Sequence, residues 1–362
     1  MIRGERFQSK GVLQTDVVKS SLRHRKHAII LIAIYLVAGF LSMEIGVRYL
    51  IHRESKWKLP ATGGLHVPDS VVGYKLNPGR KTGNISINAL GYRGRGFSTK
   101  KPEGTFRIVC SGNSITFGEA ASADSTTYPA MLERIIRERG EVDEPVEVIN
   151  AGVMGYTSRQ CLLDLKTRLV ALQPDLVLLC VGWNDITFSK YIGWTPGMTW
   201  QDPWRLLTLQ GSYVFWFLNQ RVLHIPARVR PDALRAFTDN LDSIISLCKN
   251  REIALAVVNP PTIFSEVMTL SEKRKCEING FVPGEIPLFT AYVAAIEEVA
   301  TLRDIPMFDS GLTYSVRGKD SLVVDVCHPN DAGYMHMVDV LYPQVRSMIL
   351  KIMNTKRLRM GA

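Results

Sequence analysis

The sequence has no Cys-x-x-Cys, no His-Glu-x-x-His and no cluster among its seven histidines. Structural and catalytic zinc sites draw their ligands from such spacings, so no metal is expected. Neither a Walker A loop nor a Gly-x-Gly-x-x-Gly turn occurs. Nucleotide hydrolysis and dinucleotide redox chemistry thereby lose their main sequence support, and no cofactor is expected. The absence of a Gly-x-Ser-x-Gly elbow disfavours an α/β-hydrolase proper. No internal repeat and no low-complexity tract is present, which argues against solenoids and disordered arrays. The six cysteines show no framework spacing. Cys110 and Cys180 fall in apolar runs, Cys161 and Cys248 in helical patterns, Cys276 in a loop and Cys327 beside a histidine. Buried free thiols are expected rather than disulfides.

What is present is an ordinary globular composition, 46% apolar and 22% charged over 362 residues, with a net charge of +10. Such a chain can bury one large core or two modest ones. The basic residues form no stripe with interleaved aromatics, so nucleic acid is not an expected partner. Many lie at the ends instead: Arg3, Arg6, Lys10, Lys19, Arg23, Arg25 and Lys26 in front, Lys351, Lys356, Arg357 and Arg359 behind. Ends of this kind beside an apolar segment suit anionic lipid head groups. The apolar segment occupies 28–51; it is uncharged from Ala28 to Met43 and continues past Glu44 and Arg48 to Ile51. That length approaches the roughly 20 residues that cross a bilayer. A buried soluble helix and a cleavable secretory signal, with small residues at Ala38 and Gly39, are the competing readings. The leader of 26 residues before Lys26 ends is long for a signal peptide, which favours an uncleaved anchor. Seven Lys/Arg precede the span, against Arg48, Arg53, Lys56 and Lys58 just after it. The bias places leader 1–27 in the cytoplasm and the large domain outside, in periplasm or extracellular space.

Residues 52–105 read as a linker and lead-in, with a small hairpin around Asn84 to Asn88. From Phe106 onward, apolar runs at 106–110, 146–149, 175–181, 253–258 and 305–308 alternate with helical spacing at 126–139, 158–172, 233–250, 288–302 and 330–353. Alternation with short turns implies a parallel sheet covered on both faces, and right-handed crossovers make it a three-layer α/β/α sandwich. This domain spans 106–353, and 354–362 is a basic tail. Two insertions interrupt it, at about 186–232 and 260–287. The first holds Trp194, Trp200, Trp204 and Trp216, which either pack a small core of their own or stack on sugar rings or a membrane surface. The second, with Glu266, Glu272, Lys273, Arg274 and Lys275, reads as a mobile lid or a solvated loop.

Four stretches at predicted strand ends carry chemistry. Phe106 to Cys110 leads into Ser111-Gly112-Asn113-Ser114, a small-residue turn that presents the Ser114 hydroxyl where ligands of open α/β sheets bind. After the second strand comes Asn150-Ala151-Gly152-Val153-Met154-Gly155-Tyr156-Thr157, in which Gly155 lets a backbone N–H approach a ligand closely. After the third comes Gly182-Trp183-Asn184-Asp185, where Asn184 offers an amide donor. Finally Asp325-Val326-Cys327-His328-Pro329 precedes a helix, with Pro329 suited to its first position. Together these give one mechanism. His328 accepts the Ser114 proton as the hydroxyl attacks an ester carbonyl, and Asp325 fixes the imidazole. The backbone N–H groups of Ser114 and Gly155 and the Asn184 amide hold the oxyanion.

GNSITFG, NAGVMGYTS, GWND and DVCHP resemble the four blocks of the SGNH (GDSL-type) hydrolase superfamily, in order. The resemblance implies the flavodoxin-like SGNH fold, with Ser114 as nucleophile and first oxyanion donor, Gly155 and Asn184 as the other donors, and Asp325 and His328 as the remaining triad members. One departure is visible: Asn113 stands where the commonest block has aspartate. The apolar span and residues 73–94, GYKLNPG and INALGYRG among them, resemble the juxtamembrane region of membrane-anchored bacterial members. Expected substrates are therefore esters, of O-acylated glycans or of lipids, outside the cytoplasm. Acyl transfer to a sugar hydroxyl uses the same acyl-enzyme and remains open. So does a non-catalytic glycan-binding or assembly module, against which stand competent residues at all five functional positions.

Overall fold

The computed structural model describes residues 25–46, 64–189, 227–278, 281 and 283–360. The leader before residue 25, the end of the apolar span, the linker before residue 64 and the tryptophans Trp194, Trp200, Trp204 and Trp216 lie outside the described residues. Arg25–Gly46 is one helix of 22 residues, long and apolar enough to cross a membrane, with nearly every side chain exposed. At 1.5 Å per residue it measures about 33 Å, against a hydrocarbon core of about 30 Å. A secretory signal fits the same length and composition.

The larger unit is built on five parallel strands, β5 Phe106–Gly112, β6 Val146–Gly152, β7 Leu176–Cys180, β8 Ala254–Val258 and β9 Met307–Phe308, in the order β6-β5-β7-β8-β9. They are preceded by two hairpins, β1 His66–Asp69 with β2 Gly73–Leu76, and β3 Lys81–Thr82 with β4 Ile85–Ser86. Every residue of β5 and β7 is buried. Their apolar runs show no alternation because both faces are covered by helices. Helices Tyr128–Arg139 and Asp331–Met360 pack together in one layer; Ser158–Asp164, Pro231–Asn250 and Ile286–Leu302 pack together in the other. The architecture is the expected α/β sandwich around a parallel sheet. Residues 158–172 form one continuous helical run that passes through a π segment, Leu165–Leu169, and a 3₁₀ turn, Val170–Leu172, before Gln173 ends it in the left-handed region.

The register sets the level of the sheet's upper edge. Gly112 is the partner of Gly152 in β6 and of Cys180 in β7, so these three strands end together. The lead-in is stitched to the chain that leaves β6: the Tyr156 hydroxyl donates to the Tyr74 carbonyl at 2.7 Å, the Tyr74 hydroxyl to the Met154 carbonyl at 2.9 Å, and the Gln160 amide to the Val72 carbonyl at 2.9 Å.

Three expectations are corrected. Residues 260–287 are not a solvated loop. They contain the helix Leu270–Ile278, and Ile263, Phe264, Ser265, Cys276 and Phe281 are buried. Cys276 is therefore helical. Trp183, Phe264, Phe281 and Phe289 form one aromatic cluster, with ring centroids 4.9–5.9 Å from the indole. The burial of this apolar area holds the segment down. Second, three of the four basic residues near the chain's end pair with protein carboxylates. Lys356 pairs with Asp175, Arg357 with Glu144 at 2.6 Å and Arg359 with Glu252 at 3.5 Å. Each acid lies just before a strand, so the long helix descends to the lower edge of the sheet. Third, Pro329 is not the first residue of the last helix. It forms an antiparallel bridge with Val323, and the helix begins at Asp331 with the Asn330 side chain accepting from the Gly333 N–H at 2.9 Å. All six cysteines are buried and unpaired.

Gly152 sets a tight constraint, because a Cβ there would collide with the Thr116–Phe117 backbone. Gly152→Ala is expected to destabilise by about 1–3 kcal/mol in urea unfolding. Gly96→Ala, where a methyl meets open space, should be close to neutral. Equal effects would show that the contact carries no weight.

Candidate active site

Strand β5 delivers the chain to Asn113, whose side chain accepts from the Ile115 N–H at 3.0 Å and caps the single helical turn Ser114–Phe117. Gly118 closes the turn at φ +91°, donating to the Ser114 carbonyl at 2.9 Å, and the Glu119 N–H donates to the same carbonyl at 3.0 Å. A side chain at that φ would be strained, so glycine is required. The turn's exit is gripped by Arg93, which is buried. Its Nη1 donates to the carbonyls of Phe117 at 3.0 Å and Gly118 at 2.6 Å, and its Nε to Asp124 at 2.8 Å. The guanidinium also lies over the Phe117 ring, 4.7 Å from its centroid. The Tyr334 hydroxyl holds the Ile115 carbonyl at 3.1 Å.

Against this turn the structure places the imidazole of His328, with Nε2 2.7 Å from Ser114 Oγ. The imidazole Nδ1 lies 2.7 Å from Asp325 Oδ2, while Asp325 Oδ1 accepts the N–H groups of Cys327 at 3.0 Å and His328 at 2.9 Å. The three-residue spacing is thus used in a tight carboxylate-centred turn, not in a helix. Nor does this pair stand at a strand end. It sits in the loop between β9 and the last helix, where the Ile263 N–H reaches the Val326 carbonyl at 2.8 Å. Burial raises the Asp325 carboxyl, but its bonds to His328 and the two N–H groups outweigh this and hold it below the usual range. Burial likewise opposes a charged His328; the bond to the Asp325 carboxylate works against it, and the imidazole stays well above 6.5.

The other two predicted positions follow from the register. Gly155, at φ +83°, lies in the turn three residues beyond the end of β6, and Asn184, half-buried, lies at the start of the helix Trp183–Ser189. The Asn184 amide donates to the Tyr156 carbonyl at 2.9 Å, which ties this helix to the Gly155 turn. A second tie runs below it. Asp185, buried, accepts from the Ser158 hydroxyl at 2.6 Å and from its N–H at 3.0 Å. Burial pushes the Asp185 carboxyl up to about 6 although the Ser158 bonds oppose it.

Asp325, Cys327 and His328 bring three ligand atoms within 4.8 Å of one another. They do not suit a metal. The carboxylate and Nδ1 are spent on each other, and burial pushes the Cys327 thiol up to about 11, so it stays protonated at neutral pH.

Three residues given no role by the sequence shape the site: Arg93, Asp185 and Glu119. The Glu119 side chain is 37% exposed and its Oε2 lies 3.4 Å from His328 Nε2. Partial burial raises its carboxyl and the imidazole opposes that rise. Arg93 and Asp185 stood inside the stretches INALGYRG and GWND, but nothing in either assigned them a role. Glu119, five residues after Ser114, was signalled only by its closeness in the chain.

The family model of the GDSL-like lipase/acylhydrolases matches residues 110–336. Among solved structures, the lipase/acylhydrolase of Enterococcus faecalis is 21% identical, over 67% of this chain and 96% of its own, with a TM-score of 0.45. A GDSL-like lipase of Bacteroides thetaiotaomicron is 17% identical over 67% and 88%, with a TM-score of 0.40. A variant of an acetyl xylan esterase of Geobacillus stearothermophilus is 17% identical over 68% and 97%, with a TM-score of 0.43. No protein of curated function matches the sequence.

Arg93→Lys cannot reach Phe117, Gly118 and Asp124 together, because an ammonium lacks the planar fork. A loss of about 1–3 kcal/mol of stability is expected. An unchanged urea midpoint would show that the fork does not hold the turn.

Proposed function

Since the chain belongs to the GDSL-like lipase/acylhydrolase family, whose members hydrolyse esters, we propose that it does so with Ser114 as nucleophile, His328 as general base and Asp325 as the group that orients and charges the imidazole. The observation that carries this is the unbroken line Ser114 Oγ to His328 Nε2 and His328 Nδ1 to Asp325 Oδ2, both 2.7 Å. Attack of Oγ on the acyl carbon passes the serine proton to Nε2; the imidazolium then protonates the leaving alcohol. Water repeats the sequence on the acyl-enzyme. The negative charge on the carbonyl oxygen is held by the Ser114 and Gly155 N–H groups and the Asn184 amide. The shared level of Gly112, Gly152 and Cys180 supports this assignment, since the three donors follow within four residues of those positions.

The domain of this reaction is 106–353, carried on an anchor at 28–51 with leader 1–27 in the cytoplasm and 52–105 as linker. The substrate is an O-acylated glycan or lipid ester outside the cytoplasm. The apolar helix Arg25–Gly46 and the excess of Lys/Arg before it support this placement.

The full chain in detergent should react with a fluorophosphonate probe, and Ser114→Ala and His328→Ala should not. A folded wild type that stays unlabelled would favour a binding module. Because the base must be neutral, the acylation rate should rise with pH to a midpoint above 6.5, the side to which His328 is shifted. Asp325→Asn should move that midpoint down and lower turnover by on the order of 10³–10⁴. A pH profile with the same midpoint in both proteins would contradict the role given to Asp325.

A further inference from the structure

The site contains a carboxylate that the mechanism does not use. Glu119 is fixed by its backbone, whose N–H donates to the carbonyl of Ser114 itself at 3.0 Å. Among the described residues its side chain has one polar partner, His328 Nε2 at 3.4 Å, and it is 37% exposed. The other charged or titratable groups at this corner are buried. Asp325 and Cys327 lie on the turn of His328, Tyr334 is bonded to the Ile115 carbonyl, and Arg93, a donor and not an acceptor, is buried with Nη1 on Phe117 and Gly118 and Nε on Asp124. Glu119 is therefore the acceptor at this corner that an incoming molecule can meet.

Resting on the reading of Ser114 as nucleophile, we propose that Glu119 recognises the alcohol half of the ester by accepting a hydrogen bond from a hydroxyl adjacent to the esterified oxygen. This selects acyl esters of neutral vicinal diols, the chemistry of carbohydrates and polyols. The geometry follows from where the alcohol oxygen must stand. When the ester C–O bond breaks, the electron pair goes to that oxygen, which takes the proton from Nε2 and so lies within hydrogen-bond reach of it. Glu119 Oε2 is 3.4 Å from the same nitrogen, placing it beside the neighbouring carbon of the alcohol, where a vicinal hydroxyl can donate to it. The same contact serves the reverse step, in which a diol oxygen attacks the acyl-enzyme and gives its proton to Nε2; as the acyl–Oγ bond breaks, its electron pair goes to Ser114 Oγ, which takes that proton back from Nε2. A carboxylate here also repels an alcohol that carries phosphate or carboxylate, which disfavours anionic lipid and nucleotide carriers.

The test compares glyceryl monoacetate with ethyl acetate on the full chain in detergent, wild type beside Glu119→Gln, with acetate release as the readout. The wild type should prefer the glyceryl ester, and Glu119→Gln should lower the glyceryl-to-ethyl ratio of kcat/KM about tenfold, the loss expected for one charged hydrogen bond. The change should fall in KM as well as kcat, because the contact exists before the transition state. No preference in the wild type, the same ratio in both proteins, or an equal proportional loss on both esters would overturn the proposal. Fluorophosphonate labelling of Ser114 in the same samples separates the two claims. Labelled protein with an unchanged ratio removes the role of Glu119 alone, whereas unlabelled wild type removes the reading beneath it.

Discussion

The site depends on the close approach of two backbones. The turn that carries Ser114 lies directly on the end of β6, so that a single methyl at Gly152 would strike Thr116 and Phe117, and one at Gly112 would strike Thr116 and the Cys180 carbonyl. Two glycines in adjacent strands thus let the Ser114 turn settle onto the sheet. With no side chain between turn and strand, the distance between Ser114 and the turns that follow β6 and β7 is set by the strand register. Interiors at organic-crystal density resist such shifts, which is how a hydroxyl can be held to tenths of an ångström.

A second set of contacts brings His328 to this platform. The helix Asp331–Met360 has its start three residues after His328, and Asp331 binds both the Ser122 N–H, at 2.8 Å, and its hydroxyl. Its far end reaches Asp175, Glu144 and Glu252. Exposed ion pairs contribute little to stability singly. Here they lie along the helix that follows the histidine turn. The imidazole is fixed from the chain on one side and from the nucleophile turn on the other.

Much of this was legible in the residues. The continuous apolar runs of β5 and β7 announced strands buried on both faces, and the 3.6-residue patterns at 233–250 and 288–302 marked helices that the structure extends by two residues toward the chain's start. Ser114 Oγ, the His328 imidazole and Asp325 Oδ2 lie 2.7 Å apart at each step, although Asp325 and His328 sit in a loop turn and not at the strand end that the alternation suggested. Contacts that depend on distant segments were hidden. Arg93 grips carbonyls 24 and 25 residues away, and Asp185 finds Ser158 across 27 residues; neither leaves a local period. The segment 260–287 looked solvated because its charges are frequent. Only the tertiary fold shows that Phe264 and Phe281 meet Trp183 and that Lys319, buried and pushed down to about 8, serves the carbonyls of Phe264 at 2.9 Å and Thr313 at 2.6 Å. Pro329 misled for a simpler reason: a proline that precedes a helix serves an extended bridge as readily as a first turn.

The six unpaired, buried thiols have a practical meaning. Burial pushes Cys180, Cys248 and Cys276 up to about 12 and Cys327 to about 11, and it raises Cys110 and Cys161 well above the usual thiol range. Nucleophilic thiolate is scarce in every one of them at neutral pH. The fold gains nothing from an oxidant and should form alike in reducing and oxidising compartments. A cysteine introduced on the surface would be the one reactive sulfur among the described residues, so a spectroscopic label could be placed at the mouth of the site without first removing any native cysteine.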